Sequence, residues 1–369
     1  MSAKNPLVLA HEAGQSLWLD YIQRSMLGDE LQSMIKDDHI MGMTSNPAIF
    51  EQAIAKTDEY DAQLAAEVKA NPSISNLELF NQLAIKDIQA AADGFRSTYD
   101  ATDGVDGMVS LEVAPDLAHD TAGTVKMGLD LHGRVDRPNL MIKVPGTKAG
   151  VQAFEELTAA GVNVNVTLLF SVQRYREIAQ AYIRGLERRK KAGGAIDHIA
   201  SVASFFVSRV DSSVDAELEA KGDAGAELLG KVAIANAKVA FGHFANLFGS
   251  AQWQALAAEG ARPQRLLWAS TGTKNANYSD VLYVEELIGP QTVNTVPPAT
   301  LEKFRDHGNV EVTLTKGLLD AHNQIKQLSE LGISLEKITQ DLENAGIKSF
   351  VEAFDRLLES IDGKRQALS

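Results

Sequence analysis

The sequence predicts an α/β protein that folds as a closed (β/α)8 TIM barrel with additional N-terminal, inserted and C-terminal helices. Three observations lead to this prediction. Short apolar runs recur along the chain, segments with helical periodicity separate them, and most runs are apolar on both faces, as parallel strands covered by helices are. An open doubly wound sheet is the alternative, but no G-x-G-x-x-G follows the first strand and no G-x-x-x-x-G-K-[ST] occurs. The barrel is therefore favoured.

Eight candidate strands carry the barrel prediction. They span residues 16–20, 39–45, 107–113, 139–145, 164–170, 201–208, 265–270 and 292–296. A compact helix is expected over 149–161, where Gly161 closes it, and a longer one over 171–191. The intervals 46–106, 171–200 and 210–264 have room for more than one helix, and residues from about 317 onward predict terminal helices packed over the barrel.

The second of these helices ends in the basic run "ERRKK", which is followed by Gly193 and Gly194. Cations in the last turn complement the helix dipole, so the run is typical of a helix C-terminus. An anion-binding patch is the alternative interpretation.

Length and composition limit the possible classes of protein. The chain has 369 residues, of which 45% are hydrophobic and 23% charged, which is enough for a sizeable core. One barrel or two smaller domains fit this length, and since no linker divides the chain we expect a single domain over 1–369. The formal net charge of -14 disfavours nucleic acid and anionic membranes as partners.

The absence of cysteine excludes disulfides, thiolate metal sites and cysteine nucleophiles. The N-terminus lacks the pattern of a signal peptide, and no apolar run is long enough to cross a bilayer, so we expect a cytoplasmic protein. The histidines form no H-x-H or H-E-x-x-H pattern, so no metal and no other cofactor is expected.

The stretch "NLMIKVPGT" places a lysine, Lys143, inside an apolar strand. On an edge strand such a lysine would point into water and discourage aggregation. In a barrel both strand faces are covered, and an inward Lys143 loses hydration, which favours the neutral amine that attacks a ketone to form a Schiff base. The sequence therefore indicates imine chemistry at this residue.

Carboxylates occur in two further strands. Glu112 lies between apolar neighbours in "VSLEV", and Asp20 ends "SLWLD". Burying either one is costly without a partner or a task. One of them could form a buried ion pair with Lys143, or an acid could move protons around an imine.

Uncharged polar groups and two cations complete the set of candidate residues. Asn165 and Thr167 share one face of a strand, Ser204 lies in the next, and Asn46 lies near a strand end. Each alone fits a structural hydrogen bond, but together these groups suit a polyhydroxylated substrate. Arg209 and Lys274 follow neighbouring late strands, where a barrel commonly binds phosphate, although surface salt bridges are the alternative.

The order of six motifs resembles the transaldolase family in its longer bacterial form. The motifs are "GMTSNPAIF", "VSLEVAPDLAHD", "NLMIKVPGTKAG", "GVNVNVTLLFS", "VASFFVSRVD" and "LLWASTGTKN", and the resemblance extends from about residue 16 to about residue 300. It implies a Schiff-base aldolase barrel that transfers a dihydroxyacetone unit. The donor would be sedoheptulose 7-phosphate or fructose 6-phosphate, and the acceptor glyceraldehyde 3-phosphate or erythrose 4-phosphate, in the non-oxidative pentose phosphate pathway.

The same resemblance implies a role for each candidate. Lys143 would form the imine, Glu112 and Thr167 would activate a water for proton transfer, and Asp20 would act in cleavage and formation of the carbon–carbon bond. The substrate-binding residues would be Asn46, Asn165 and Ser204 for hydroxyl groups and Arg209 for phosphate. The chain departs from shorter family members in its "VPGT" after the lysine and in Lys274, which stands where they have an arginine. A lysine lacks the bidentate geometry of a guanidinium, so the phosphate site is expected to be weaker or differently shaped.

Two other functions stay open on the sequence. A Schiff-base lyase would release free dihydroxyacetone, although Glu112 favours the transferase, since related fructose 6-phosphate aldolases use a tyrosine in the proton role. A catalytically inactive barrel could instead bind sugar phosphates, with Lys143 serving only as a salt-bridged strut. The sequence leaves the oligomeric state open between monomer and homodimer.

Overall fold

A computed structural model describes residues 4–368 and shows a closed barrel of eight parallel strands in sequential order. The strands are β1 (Gln15–Asp20), β2 (Ile40–Thr44), β3 (Met108–Glu112), β4 (Leu140–Pro145), β5 (Val164–Leu169), β6 (Ser201–Phe206), β7 (Arg265–Ala269) and β8 (Thr292–Val296). Every predicted strand is present, with ends that differ by at most two residues. The predicted (β/α)8 barrel is therefore confirmed.

Helices surround the barrel and fill the longer connections. They are α1 (Pro6–Glu12), α2 (Asp29–Asp37), α3 (Pro47–Ala55), α4 (Asp61–Ala70), α5 (Asn76–Gly94), α6 (Arg96–Ala101), α7 (Thr121–Val135), α8 (Lys148–Ala160), α9 (Val172–Lys191), α10 (Ser208–Glu219), α11 (Val232–Phe248), α12 (Ala251–Ala257), α13 (Leu282–Glu285), α14 (Pro298–His307), α15 (Leu318–Glu330) and α16 (Leu335–Leu368). None of the helices found between residues 4 and 368 is long and apolar enough to cross a bilayer.

Several helices begin almost directly after a strand, because a capping residue stands there. Asn46 Oδ1 accepts a hydrogen bond from the Ile49 amide at 3.1 Å and starts α3, and Thr147 Oγ1 accepts one from the Gly150 amide at 2.9 Å and starts α8. Such caps stabilise a helix by about 1 kcal/mol each. Gly161 ends α8 with a φ of 95°, a left-handed conformation that glycine adopts without strain. Local sequence thus sets where α3 and α8 begin after their strands and where α8 ends before the next strand.

The basic run at 187–191 lies in the last turn of α9, as the dipole argument predicts. Arg188 forms an ion pair with Glu155 at 2.9 Å, and Lys190 forms one with Glu259. Two cations of this run are therefore engaged with acidic neighbours as well as with the helix terminus.

A buried polar cluster closes the N-terminal end of the barrel. Asp106 accepts hydrogen bonds from Ser16 Oγ at 2.7 Å and Trp18 Nε1 at 3.2 Å, and it forms an ion pair with Arg265 at 2.9 Å. These groups satisfy one another's hydrogen-bonding needs. The candidate catalytic residues lie towards the opposite, C-terminal end of the strands.

Helix α16 lies across that opposite end, in contact with α3, α5, α10 and β5. It approaches closely at Gly346, where a Cβ atom would lie 3.0 Å from Leu168 Cδ2. Its apolar face is anchored by Leu357, which is fully buried, and by Phe354, whose ring makes an edge contact with Phe80 at 5.5 Å. Helix α16 thus covers this end of the barrel, while α15 packs against α11.

Candidate active site

Lys143 points into the barrel from the centre of β4, and its side chain is 6% exposed. Its Nζ donates a hydrogen bond to the Ser45 carbonyl at 3.1 Å and lies 3.5 Å from Glu112 Oε2. Strands β3 and β4 bring the pair together because their register places Glu112 directly beside Lys143. The two side chains therefore share the inner face, as the alternation of strand side chains requires.

Glu112 is buried, and burial raises the pKa of its carboxyl group to about 7, an effect that the nearby charge of Lys143 partly offsets. Neither carboxylate oxygen accepts a hydrogen bond within the described residues 4–368. The 3.5 Å contact with Lys143 is longer than an ordinary N–H···O hydrogen bond. A carboxyl group in this state can both accept and release a proton near neutral pH.

Asp20 ends β1 at the mouth of the barrel, where it is half-buried. Its Oδ1 accepts a hydrogen bond from Thr44 Oγ1 at 2.7 Å, and Thr44 in turn lies 2.6 Å from Thr295 Oγ1. Burial raises the pKa of Asp20, whereas Lys143, Thr44 and Arg209 act in the opposite direction. The charge of Lys143 therefore acts to lower the pKa of Asp20, as it does for Glu112.

Asn165 and Ser204 meet inside the barrel on the inner faces of β5 and β6. Ser204 Oγ donates to Asn165 Oδ1 at 2.7 Å, and Asn165 Nδ2 donates to Ser110 Oγ at 3.1 Å. Asn165 adjoins the lysine, since it is the register partner of Lys143 on the adjoining strand, and Ser204 is joined to it through Asn165. This network holds the amide of Asn165 in a fixed orientation beside the amine.

Thr167 is fully buried, and its Oγ1 has no hydrogen-bond partner among the residues that the structure describes. The next residue, Leu168, has a φ of 58°, a left-handed conformation that is unusual for leucine, and the pairing of β5 with β6 shifts register there. Bulges of this kind often change the direction of side chains next to active sites. A buried hydroxyl without a partner at this point is available to a ligand or to water.

The remaining predicted residues lie around the mouth. Asn46 uses its side-chain oxygen to cap α3, so its amide NH2 is the part that can meet a ligand. Arg209 lies in the first turn of α10 with its guanidinium 5.2 Å from the Phe206 ring, and burial lowers its pKa. Lys274 is exposed in the segment between β7 and α13. Both cations thus follow neighbouring strands, as predicted, but Arg209 is the more enclosed of the two.

Sequence reasoning missed three contributors to this site. The Ser45 carbonyl orients the lysine, Thr44 orients Asp20, and the ring of Phe350 on α16 lies 5.9 Å from Lys143 Nζ. Thr44 could have been noticed as a hydroxyl inside an apolar strand. A backbone carbonyl has no sequence signal, and Phe350 comes from a helix about two hundred residues further along the chain.

This arrangement has the parts needed for imine catalysis. A buried primary amine lies beside a carboxyl group whose pKa is about 7, a second acid lies at the mouth, and amide and hydroxyl groups lie on the inner faces of the neighbouring strands. No cluster of three or more potential metal ligands occurs within residues 4–368. Fold and site together define the class of (β/α)8 barrels with a lysine in the barrel interior that is suited to Schiff-base formation.

Comparison with known proteins identifies the family within this class. A family model described as Transaldolase/Fructose-6-phosphate aldolase matches residues 17–361. Transaldolase 2 of a Nostoc species is 45% identical over 100% of this chain and 99% of the relative, and the transaldolase of Saccharopolyspora erythraea is 45% identical over 98% of each. The transaldolase of Trichodesmium erythraeum is 43% identical over 99% of each. The chain belongs to the transaldolase/fructose-6-phosphate aldolase family, which confirms the resemblance noted from its motifs.

Proposed function

We propose that this protein is a transaldolase, a transferase that moves a dihydroxyacetone unit from a ketose phosphate to an aldose phosphate in the non-oxidative pentose phosphate pathway. The observation that carries the proposal is the position of Lys143 Nζ inside the barrel, 3.5 Å from Glu112 Oε2. The donors are sedoheptulose 7-phosphate and fructose 6-phosphate, and the acceptors are glyceraldehyde 3-phosphate and erythrose 4-phosphate.

In the first step Lys143 attacks the ketone carbon of the donor, and loss of one water molecule leaves an imine. Glu112 supplies and receives the protons that this step needs, since its pKa of about 7 allows both directions at neutral pH. Thr167 holds the water with its free hydroxyl, and the Ser45 carbonyl keeps the amine oriented.

In the second step Asp20 removes the proton from the hydroxyl group next to the bond that breaks. The aldose phosphate then leaves, and the electron pair of the broken bond is delocalised into the imine. The three-carbon unit stays covalently attached to Lys143. Addition to the acceptor aldehyde reverses these events, after which water returns to the imine carbon and releases the new ketose phosphate.

The polar residues around the lysine bind the substrate. Asn46, Asn165 and Ser204 hold hydroxyl groups of the sugar, while Arg209 and Lys274 bind its phosphate. The partial enclosure of Arg209 supports this role, because a guanidinium without an acidic ion-pair partner in residues 4–368 is available to an anion. Lys274 is exposed, so we assign it the weaker contact.

We further propose that residues 1–369 form a single domain that works in the cytoplasm as a monomer or homodimer. Its partners are small phosphorylated sugars, and the formal net charge of -14 supports the exclusion of nucleic acid and membrane surfaces.

Trapping with borohydride tests the proposed chemistry. Fructose 6-phosphate with borohydride is expected to attach the three-carbon unit at Lys143, which peptide mass spectrometry locates, and a Lys143→Met variant with an intact fold should give no adduct. Turnover should require an aldose phosphate acceptor. Rapid release of free dihydroxyacetone without acceptor would identify a lyase, and absence of any adduct in the wild type would leave a sugar-phosphate-binding barrel.

A further inference from the structure

A hydrogen bond at the edge of the barrel mouth joins the two elements that carry the proposed phosphate ligands. Tyr278, in the segment between β7 and α13, donates from its hydroxyl to Asp215 Oδ2 at 2.8 Å. Asp215 lies on α10, whose first turn contains Arg209, and Lys274 lies four residues before Tyr278. The side chains of Tyr278 and Asp215 therefore connect the segment that contains Lys274 to the helix that contains Arg209.

Asp215 is itself rigidly held. It is 6% exposed, and its Oδ1 accepts a hydrogen bond from the Gly230 amide at 3.1 Å. One turn earlier, Asp211 Oδ1 accepts a hydrogen bond from the Ala233 amide at 2.7 Å. These two carboxylates lie on one face of α10, because residues four apart on a helix are neighbours. That face is fixed to the start of α11, and Arg209, two residues before Asp211, projects from the other side.

Tyr278 is held by its ring as well as by its hydroxyl. A Cβ atom added to Gly230 would lie 2.8 Å from Tyr278 Cζ, so the glycine permits a close approach of the ring that a larger residue would block. The hydroxyl of this side chain thus bonds to α10, and its ring lies close to Gly230 in the segment between α10 and α11. The position of Tyr278 relative to α10 is closely defined.

The segment that contains Lys274 is compact, so a shift of Tyr278 would be transmitted to the lysine. Thr273 Oγ1 donates to the Ser279 carbonyl at 2.8 Å, which joins residues on either side of Lys274 and Tyr278. The Tyr278 amide donates to the Asn275 carbonyl at 3.1 Å, which forms a turn directly after the lysine. These two hydrogen bonds close the segment that contains Lys274 and Tyr278 into a loop, which we call the Lys274 loop.

We infer that Tyr278 is a positioning residue: its hydrogen bond to Asp215 holds the Lys274 loop at a set distance from Arg209 and so determines how tightly the phosphate group of a sugar phosphate is bound. The inference rests on the proposed function, in which these two cations bind phosphate. Tyr278 acts through the loop and is assigned no contact with the reacting atoms.

A Tyr278→Phe variant tests this role because it removes the hydroxyl and keeps the ring. The KM for fructose 6-phosphate should rise about three- to tenfold, the range expected from the loss of one hydrogen bond, with little change in kcat. The KM for unphosphorylated fructose, measured at high concentration with the same acceptor, should stay the same. Tyr182→Phe is the matched control, since its hydroxyl donates to the Ile199 and Arg262 carbonyls near the opposite end of the barrel.

A second variant separates positioning from a general loss of stability. Lys274→Gln should raise the KM for fructose 6-phosphate in the wild type but add little in the Tyr278→Phe background, because the loop there no longer holds the lysine in place. Equal effects on phosphorylated and unphosphorylated donors, additive effects of the two substitutions, or an unchanged KM in Tyr278→Phe would each overturn the inference. Failure of the wild type to form the Lys143 adduct would instead overturn the proposed function.

Discussion

Replacing Glu112 with glutamine removes the carboxyl group to which we assign proton exchange beside Lys143 and leaves the shape of the side chain nearly unchanged. Glu112 is 7% exposed, its Oε2 lies 3.5 Å from the lysine Nζ, and burial raises its pKa to about 7. An amide in the same position cannot accept or release a proton in this range. The Glu112→Gln variant therefore isolates the proton-transfer function from packing.

The expected loss follows from the contribution of a positioned acid or base to catalysis. Such groups contribute about 10²- to 10⁴-fold, so kcat should fall by that factor, which corresponds to about 3–5 kcal/mol in the activation barrier. The KM for fructose 6-phosphate should change little, because Asn165, Ser204 and Arg209 are untouched. Borohydride should still attach the three-carbon unit at Lys143, although more slowly.

Initial rates with fructose 6-phosphate and erythrose 4-phosphate between about pH 5.5 and pH 8.5 provide the assay. In the wild type the rate should change with an apparent pKa near the value of about 7 assigned to Glu112, and the variant should lack this change. Glu343→Gln is a matched control, because the Glu343 Oε2 also lies 3.5 Å from a cationic nitrogen, the Nε of Arg174, but away from the lysine.

The control should keep nearly the whole activity and the pH dependence of the wild type. A Glu112→Gln enzyme with wild-type kcat and an unchanged pH profile would refute the assignment of proton transfer to this residue. Loss of activity in Glu343→Gln of the same size would show that the effect comes from structural damage at the covered mouth.

Three further predictions address the cover of the site, the buried acids and the core. Phe350→Ala removes the ring that lies 5.9 Å from Lys143 Nζ, so water should reach the covalent intermediate more easily. The ratio of released dihydroxyacetone to transferred product, measured by chromatography, should therefore rise. An unchanged ratio would contradict a shielding role. Burial raises the pKa of Asp211 to about 7, so the folded protein holds this proton between about pH 4 and pH 7 while the unfolded chain releases it, and stability falls as pH rises through that range. The free energy of unfolding is measured by urea titration for wild type and for Asp211→Asn. As the pH rises from about 4 to about 7, the stability of the variant relative to wild type should increase by up to about 4 kcal/mol, since a free aspartate has a pKa of about 3.9. A difference between the two proteins that does not depend on pH would refute the assignment. Leu357→Ala, at a fully buried position on α16, should lower the free energy of unfolding by about 2–5 kcal/mol, and a loss below about 1 kcal/mol would show that the helix is weakly packed.

Local sequence was sufficient to predict the strands and the polar side chains that lie on their covered faces. Side chains alternate along a strand, so the positions of Lys143, Glu112, Asn165 and Thr167 within apolar runs already placed them on covered faces. Gly161 predicted where α8 ends, because a glycine that closes a helix acts over a few residues. The order of strands and helices then favoured a closed parallel barrel.

The contacts between these elements depended on tertiary structure. The register of β3 against β4 places Glu112 beside Lys143, and neither strand alone contains that information, because register is set by closure of the whole barrel. The Ser45 carbonyl, the ring of Phe350 and the bond from Tyr278 to Asp215 reach their places through chain segments far apart in sequence. Sequence by itself therefore determined which residues could do the chemistry, whereas packing between distant segments decided their distances, their shielding from water and the pKa of the acid beside the lysine.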